Sequence, residues 1–106
     1  MSNFNETTHL SEIIEQSNIE PVIIFKYSND CNSSARLKNK FEKLFEEKTL
    51  VYKIYIVTVQ IQKVLSHKIE EVFGIKHESP QIIVLNKGKV AYTAHHNNIK
   101  IENILS

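Results

Sequence analysis

Two runs rich in β-branched residues, PVIIFKY (21–27) and LVYKIYIVTV (50–59), bracket a stretch with helical period, and this leaves few folds open. PVIIFKY is short, apolar and set behind a proline, which suits a strand buried on both faces. LVYKIYIVTV has the Val, Ile and Tyr content of a second strand. Between them, residues 31 to about 47 place Ala35, Leu37, Phe41, Leu44 and Phe45 near one face. Lys38, Lys40, Glu42, Lys43 and Glu46 fall on the other face. A strand, a helix and a strand in this order predict a parallel pair with a right-handed crossover.

The flanking segments extend this unit. TTHLSEIIEQSN (7–18) reads as a short helix capped by Thr7 or Thr8, with Leu10, Ile13 and Ile14 turned inward. IQKVLSHKIEEVFG (61–74) has Ile61, Val64, Leu65, Ile69, Val72 and Phe73 at helical spacing and ends on Gly74. QIIVLNKGKVAYTAH (81–95) predicts a hairpin whose turn is Asn86-Lys87-Gly88, with Gly88 free to take positive φ. A last short helix is expected over about 99 to 105. The order α-β-α-β-α-β-β-α predicts an α/β fold: a mixed four-stranded sheet flanked by helices, with an extra N-terminal helix. The hairpin must add antiparallel strands.

With 106 residues and 42% hydrophobic content, the chain is expected to be one domain, 1–106, with a real core. Its net charge of +1, with lysines spread along the chain, gives no nucleic-acid patch. No apolar run approaches the roughly 18 residues of a membrane span. The opening MSNFNETTHL is polar and acidic, unlike a signal or transit peptide. With one free cysteine, these features point to a reducing cytoplasm.

That cysteine, Cys31, falls just past the carboxyl end of the first strand, where sites form in open α/β sheets. It also opens the first crossover helix, whose unpaired N–H groups and partial positive charge favour a thiolate. Such a thiolate is an aimed nucleophile. A lone cysteine is otherwise a common buried small side chain. Asn32, Ser33 and Ser34 form the first turn after it. A Ser34 hydroxyl can donate to the sulfur, and it occupies the place of the second thiol in a C-x-x-C protein. Asp30 either caps the helix or, as a neighbouring carboxylate, raises the thiol pKa. Pro80 precedes the third strand in KHESPQIIVL. No ligand spacing supports a metal site among Cys31, His77, His95 and His96.

Cys31 at a helix start and Pro80 before the next strand together resemble the thioredoxin fold, in which that proline is cis and packs against the cysteine. More narrowly, FKYSNDCNSS (25–34), KHESPQ (76–81) and AHH (94–96) resemble the monothiol bacilliredoxins, bacillithiol-dependent relatives of glutaredoxin. The uninterrupted KHESPQ is the most specific match. The chain departs from the family at Asn32, where the family has proline, and at Ser33, where it has isoleucine.

The resemblance implies a thiol–disulfide oxidoreductase. Cys31 would attack the mixed disulfide between bacillithiol and a cytosolic client protein, and take up the bacillithiol. Without a second cysteine, bacillithiol or another thiol must resolve the adduct. Bacillithiol is then a co-substrate, and no bound cofactor is expected. The first turn, Asn32, Ser33 and Ser34, would stabilise the thiolate. Ser79 would offer backbone N–H and C=O to substrate ahead of Pro80, as an added strand does. Lys26, His77 and His95 are the candidates to meet bacillithiol's carboxylates. The competing expectation is a redox-inactive binding or stress protein that keeps the fold.

Overall fold

A computed structural model describes residues 4–48, 50 and 52–100. The elements are α1 (Leu10–Ile19), β1 (Val22–Tyr27), α2 (Asn32–Glu46), β2 (Lys53–Thr58), α3 (Lys63–Phe73), β3 (Gln81–Asn86) and β4 (Lys89–His95). A single 3-10 turn, His96–Asn98, follows. The strands form one sheet in the order β2-β1-β3-β4. β1 runs parallel to β2 and antiparallel to β3, and β4 is antiparallel to β3. The sheet is therefore mixed, as the β-α-β unit followed by a hairpin requires.

Alternation along the strands divides the core in two. Val22 and Ile24 point with Ile83 and Leu85 toward Leu10 and Ile13 of α1 and Leu65 and Ile69 of α3. Ile23 and Phe25 point the other way, with Ile82 and Val84, onto Leu37 and Phe41 of α2. The first five residues of β1 are all buried, because helices cover both faces.

The hairpin turn uses Lys87 (φ 53°) and Gly88 (φ 76°), both left-handed. This is the two-residue turn whose twist matches the flanking strands. Ser17 of α1 holds it: the Ser17 carbonyl accepts from Lys87 N–H (2.8 Å) and its hydroxyl from Gly88 N–H (2.9 Å). At the opposite edge, Asn5 lies beside β2. Its N–H donates to the Ile54 carbonyl (2.7 Å) and its carbonyl accepts from Ile56 N–H (3.0 Å). Phe4 packs against Phe25, Phe41 and Phe45.

Four expectations from the sequence change. α1 starts at Leu10 with His9 as its N-cap, rather than Thr7 or Thr8. The Thr7 hydroxyl instead accepts from His9 N–H and donates to Glu12. In α2, Ala35 is exposed and Ser34 takes the inward place, because the first turn faces the cysteine loop. α3 starts at Lys63, so Ile61 lies before it and is exposed; within the helix Val64 and Val72 are exposed, while Ser66 is buried beside Leu65 and Ile69. Beneath the helix, the Ser66 carbonyl accepts from the buried Lys26 (3.1 Å). Finally, the expected helix at 99–105 lies outside the described residues from 101 onward, and Ile99 is extended.

Candidate active site

Cys31 is the N-cap of α2, with extended backbone (φ −118°, ψ 121°). Its carbonyl accepts the Ala35 N–H at 3.1 Å, and so closes the first turn. The N–H groups of that turn have no partners within the helix and gather near the sulfur. Hydrogen bonding from the Ser34 N–H holds the Cys31 thiol below its ordinary range. Burial pushes the other way, while the Ser34 hydroxyl and the N–H and hydroxyl of Ser33 lower it further. Asn32, the first helical residue, is exposed.

The loop before the cysteine is braced through Ser28 and Gln60, two residues with no sequence signal of their own. Ser28 N–H donates to the Ser34 hydroxyl (3.2 Å). The Ser28 hydroxyl accepts from Asp30 N–H (3.3 Å) and from the Gln60 amide (2.7 Å). The Gln60 carbonyl oxygen accepts from Asn29 N–H at 3.2 Å. Asp30 does not cap α2; its carboxylate lies 3.5 Å from the Gln60 amide nitrogen. Ser34 is wholly buried, and its one hydroxyl both accepts from the loop and lowers the thiol pKa. Ser34 thus ties Cys31 to its loop.

The Ser79–Pro80 peptide bond is cis, and Pro80 is buried. Pro80 lines a cavity of about 230 Å³ together with Ser33, Arg36, Lys40, His96 and Ile99. The half-buried Ser79 immediately precedes it.

The other expected site residues divide. Lys26 is fully buried, so its ammonium is turned inside the fold rather than toward substrate. It donates to the Ser66 carbonyl and to His77 Nδ1 (3.2 Å). An ammonium has only donors, so Nδ1 must accept and the ring proton sits on Nε2. Burial pushes Lys26 below its ordinary range, and Glu70 opposes. Burial and then the Lys26 charge push His77 down. The His77 N–H donates to Glu70 (2.8 Å) and is the main reason that the Glu70 carboxyl lies below its usual range. Glu70, His77 and Ser66 line a second cavity, of about 340 Å³, with Gln60 on its rim. His95 ends β4, exposed, with its ring edge-on to His96 at 5.4 Å. Arg36, which the sequence did not single out, and Lys40, which it left on the outer face of α2, meet His96 beside Pro80.

Solved structures share this architecture. A protein described as having a thioredoxin fold is 24% identical, with a TM-score of 0.80, covering 96% of this chain and 90% of that one. The thioredoxin of Fasciola hepatica is 15% identical, with a TM-score of 0.75, covering 99% and 96%. The oxidised thioredoxin of Plasmodium falciparum is 19% identical, with a TM-score of 0.70, covering 96% and 94%. At these identities the likeness is one of fold, and the fold is thioredoxin-like. The model of the family described as monothiol bacilliredoxin BrxC matches residues 2–104, nearly the whole chain, and the protein belongs to that family.

Proposed function

We propose that the protein removes bacillithiol from mixed disulfides on client proteins in a reducing cytoplasm, using Cys31 as its nucleophile. The observation that carries this reading is the geometry of Cys31 itself. The thiol caps α2, the Ser34 N–H lowers its pKa, and the first turn shares a cavity wall with the cis-linked Pro80. Family membership supplies the small thiol.

The Cys31 thiolate attacks the bacillithiol sulfur of the mixed disulfide in line with the S–S bond. That bond breaks, and its electron pair leaves with the client sulfur, which takes up a proton as a reduced thiol. Cys31 now carries bacillithiol in a new disulfide. Among the 106 residues there is one cysteine, so no internal thiol can displace it. A second bacillithiol attacks and leaves as bacillithiol disulfide, restoring Cys31. Asn32 and Ser33, with Ser34, present the helix N-terminus to the thiolate. Ser79 offers backbone groups to the incoming chain, and His95 lies at the sheet edge near it. Lys26 is held by the Ser66 carbonyl and His77, and so is not offered to the carboxylates.

The test is to mix reduced protein with a bacillithiolated client and read intact masses. The wild type should gain one bacillithiol, Cys31→Ala none, and reduced client should appear. An unmodified Cys31 beside a still-blocked client would sink the oxidoreductase and leave a redox-inactive binding protein as the better account.

A further inference from the structure

The cavity beside Pro80 has a charge pattern that the exchange chemistry does not require. Arg36 and Lys40 lie one turn apart on α2 and both line it. His96 faces them from the turn after β4, but His96 is already engaged by Glu78 at 2.8 Å. Neither the Arg36 nor the Lys40 side chain has a hydrogen-bond or ion-pair partner among the described residues. Among the described residues, no carboxylate lines the cavity. The lysine on the α3 side differs sharply: Lys26 is consumed by Ser66 and His77. Arg36 and Lys40 are therefore cations left available among the described residues, and Ser33, two residues past Cys31, lines the same cavity.

Size narrows the occupant. About 230 Å³ is below the roughly 300–1,000 Å³ of pockets that enclose a whole small ligand. It suits one end of a molecule whose sulfur lies outside, at Cys31. A planar guanidinium takes a carboxylate through two parallel bonds, and a neighbouring ammonium adds a point charge. That pairing fits two carboxylates close together.

We infer that Arg36 and Lys40 hold the dicarboxylate end of the small thiol while its sulfur is exchanged at Cys31, and so set the preference for that thiol. The inference rests on the exchange reading above. It assigns substrate selection to α2, in place of Lys26 and His77.

Two measurements test it. The first compares one client peptide carrying bacillithiol with the same peptide carrying cysteinyl-glucosamine, which lacks the dicarboxylate. The wild type should favour the former. In Arg36→Ala/Lys40→Ala, the ratio of the two rate constants should fall by about tenfold, the equivalent of one strong contact. An unchanged ratio overturns the inference while leaving the exchange function intact. A third substrate, an acidic-flanked peptide carrying cysteinyl-glucosamine, separates the source of the carboxylates. If the double variant loses rate mainly there, the cations serve the client chain and the inference fails. The second measurement needs no turnover. S-methyl bacillithiol is titrated into Cys31→Ser and followed by NMR. Shifts at Arg36, Lys40 and His96 support the assignment even if exchange is absent. Shifts confined to Gln60, Ser66 and His77 place the acid end on the α3 side and overturn it.

Discussion

The two flanks of the cysteine loop hold the same kinds of side chain and use them in opposite ways. On the α3 flank, Lys26, Ser66, His77 and Glu70 satisfy one another, with the lysine wholly buried. On the α2 flank, Arg36 and Lys40 stand exposed, and without partners among the described residues, around a small cavity. A cation whose donors are taken up by the fold is a structural part, while a cation left unpaired beside a nucleophile is available to a ligand. Residue type does not separate these cases; burial and partnership do. Desolvating the Lys26 charge costs free energy that only its fixed acceptors offset.

The largest effect expected is at the point where the flanks meet. Cys31→Ser should abolish exchange in a turnover assay while leaving both flanks folded. Residual turnover would mean that the chemistry lies elsewhere.

The flanks themselves separate under truncation. Lys26→Ala removes a buried stem and should cost about 2–4 kcal/mol in urea unfolding. Lys40→Ala should stay within about 0.5 kcal/mol. Lys26→Met, which keeps the volume, should return to within about 1.5 kcal/mol of the wild type. Equal costs at positions 26 and 40 would erase the distinction.

Ser34→Ala should cost about 1–3 kcal/mol, because it leaves the Ser28 N–H without its acceptor. It should also move the pH midpoint of Cys31 alkylation upward, since the Ser34 hydroxyl helps lower the thiol pKa. The sign of the linked stability follows. The folded thiol gives up its proton at lower pH than an ordinary thiol near 9.0. Between those two values the unfolded chain holds more protons, so stability rises with pH through that window. Below the folded value both states hold the proton, so the contribution is gone and changes no further. Wild type minus Cys31→Ala, unfolded across that range, isolates the effect.

Lys26→Met should raise the His77 midpoint in an NMR titration, because the Lys26 charge is one of the causes lowering it. Burial remains, so the value should stay below that of a free histidine. No movement would show that the two side chains do not share the contact at Nδ1.

The smallest effect lies at the head of α2. Cys31 already has φ −118° and ψ 121°, the backbone that a residue before proline adopts. Asn32 is the first helical residue, where proline fits. Asn32→Pro should therefore stabilise by about 0.4–1 kcal/mol in thermal unfolding. A loss instead would mean that the Asn32 N–H is in use.

The element order, the cysteine at a helix start and the proline ahead of β3 were legible because they depend on local pattern, whereas the lateral order of the strands was not. β-Branched runs, helical period and X-Pro chemistry act over a few residues. The fate of Lys26 was half legible. A run expected to be buried on both faces already implied a buried lysine at its fifth strand residue. Its partners, 40 and 51 residues away, were not visible. The α3 stripe was misjudged at Ile61, Val64 and Val72, which are exposed, while the polar Ser66 is buried; helical period alone did not show which residues the sheet covers. Arg36 and Lys40 share a helical spacing on α2, but His96 has no sequence relation to them and joins them only where the turn after β4 meets that helix. Gln60 likewise gains its role from contacts 30 to 32 residues distant.

Asn5 has a consequence for how the protein behaves in a crowded solution. β2 is an outer strand, and an outer strand with open N–H and C=O groups is a template for another chain. Asn5 occupies the Ile54 carbonyl and the Ile56 N–H, the groups at the middle of that edge, and Phe4 pins it to an aromatic cluster. Two residues thus act as a guard rail against strand-to-strand stacking. A chain trimmed past Asn5 would keep its thiol chemistry in dilute solution, yet present an apolar ribbon, KIYIVT, whose natural neighbour would be its own copy.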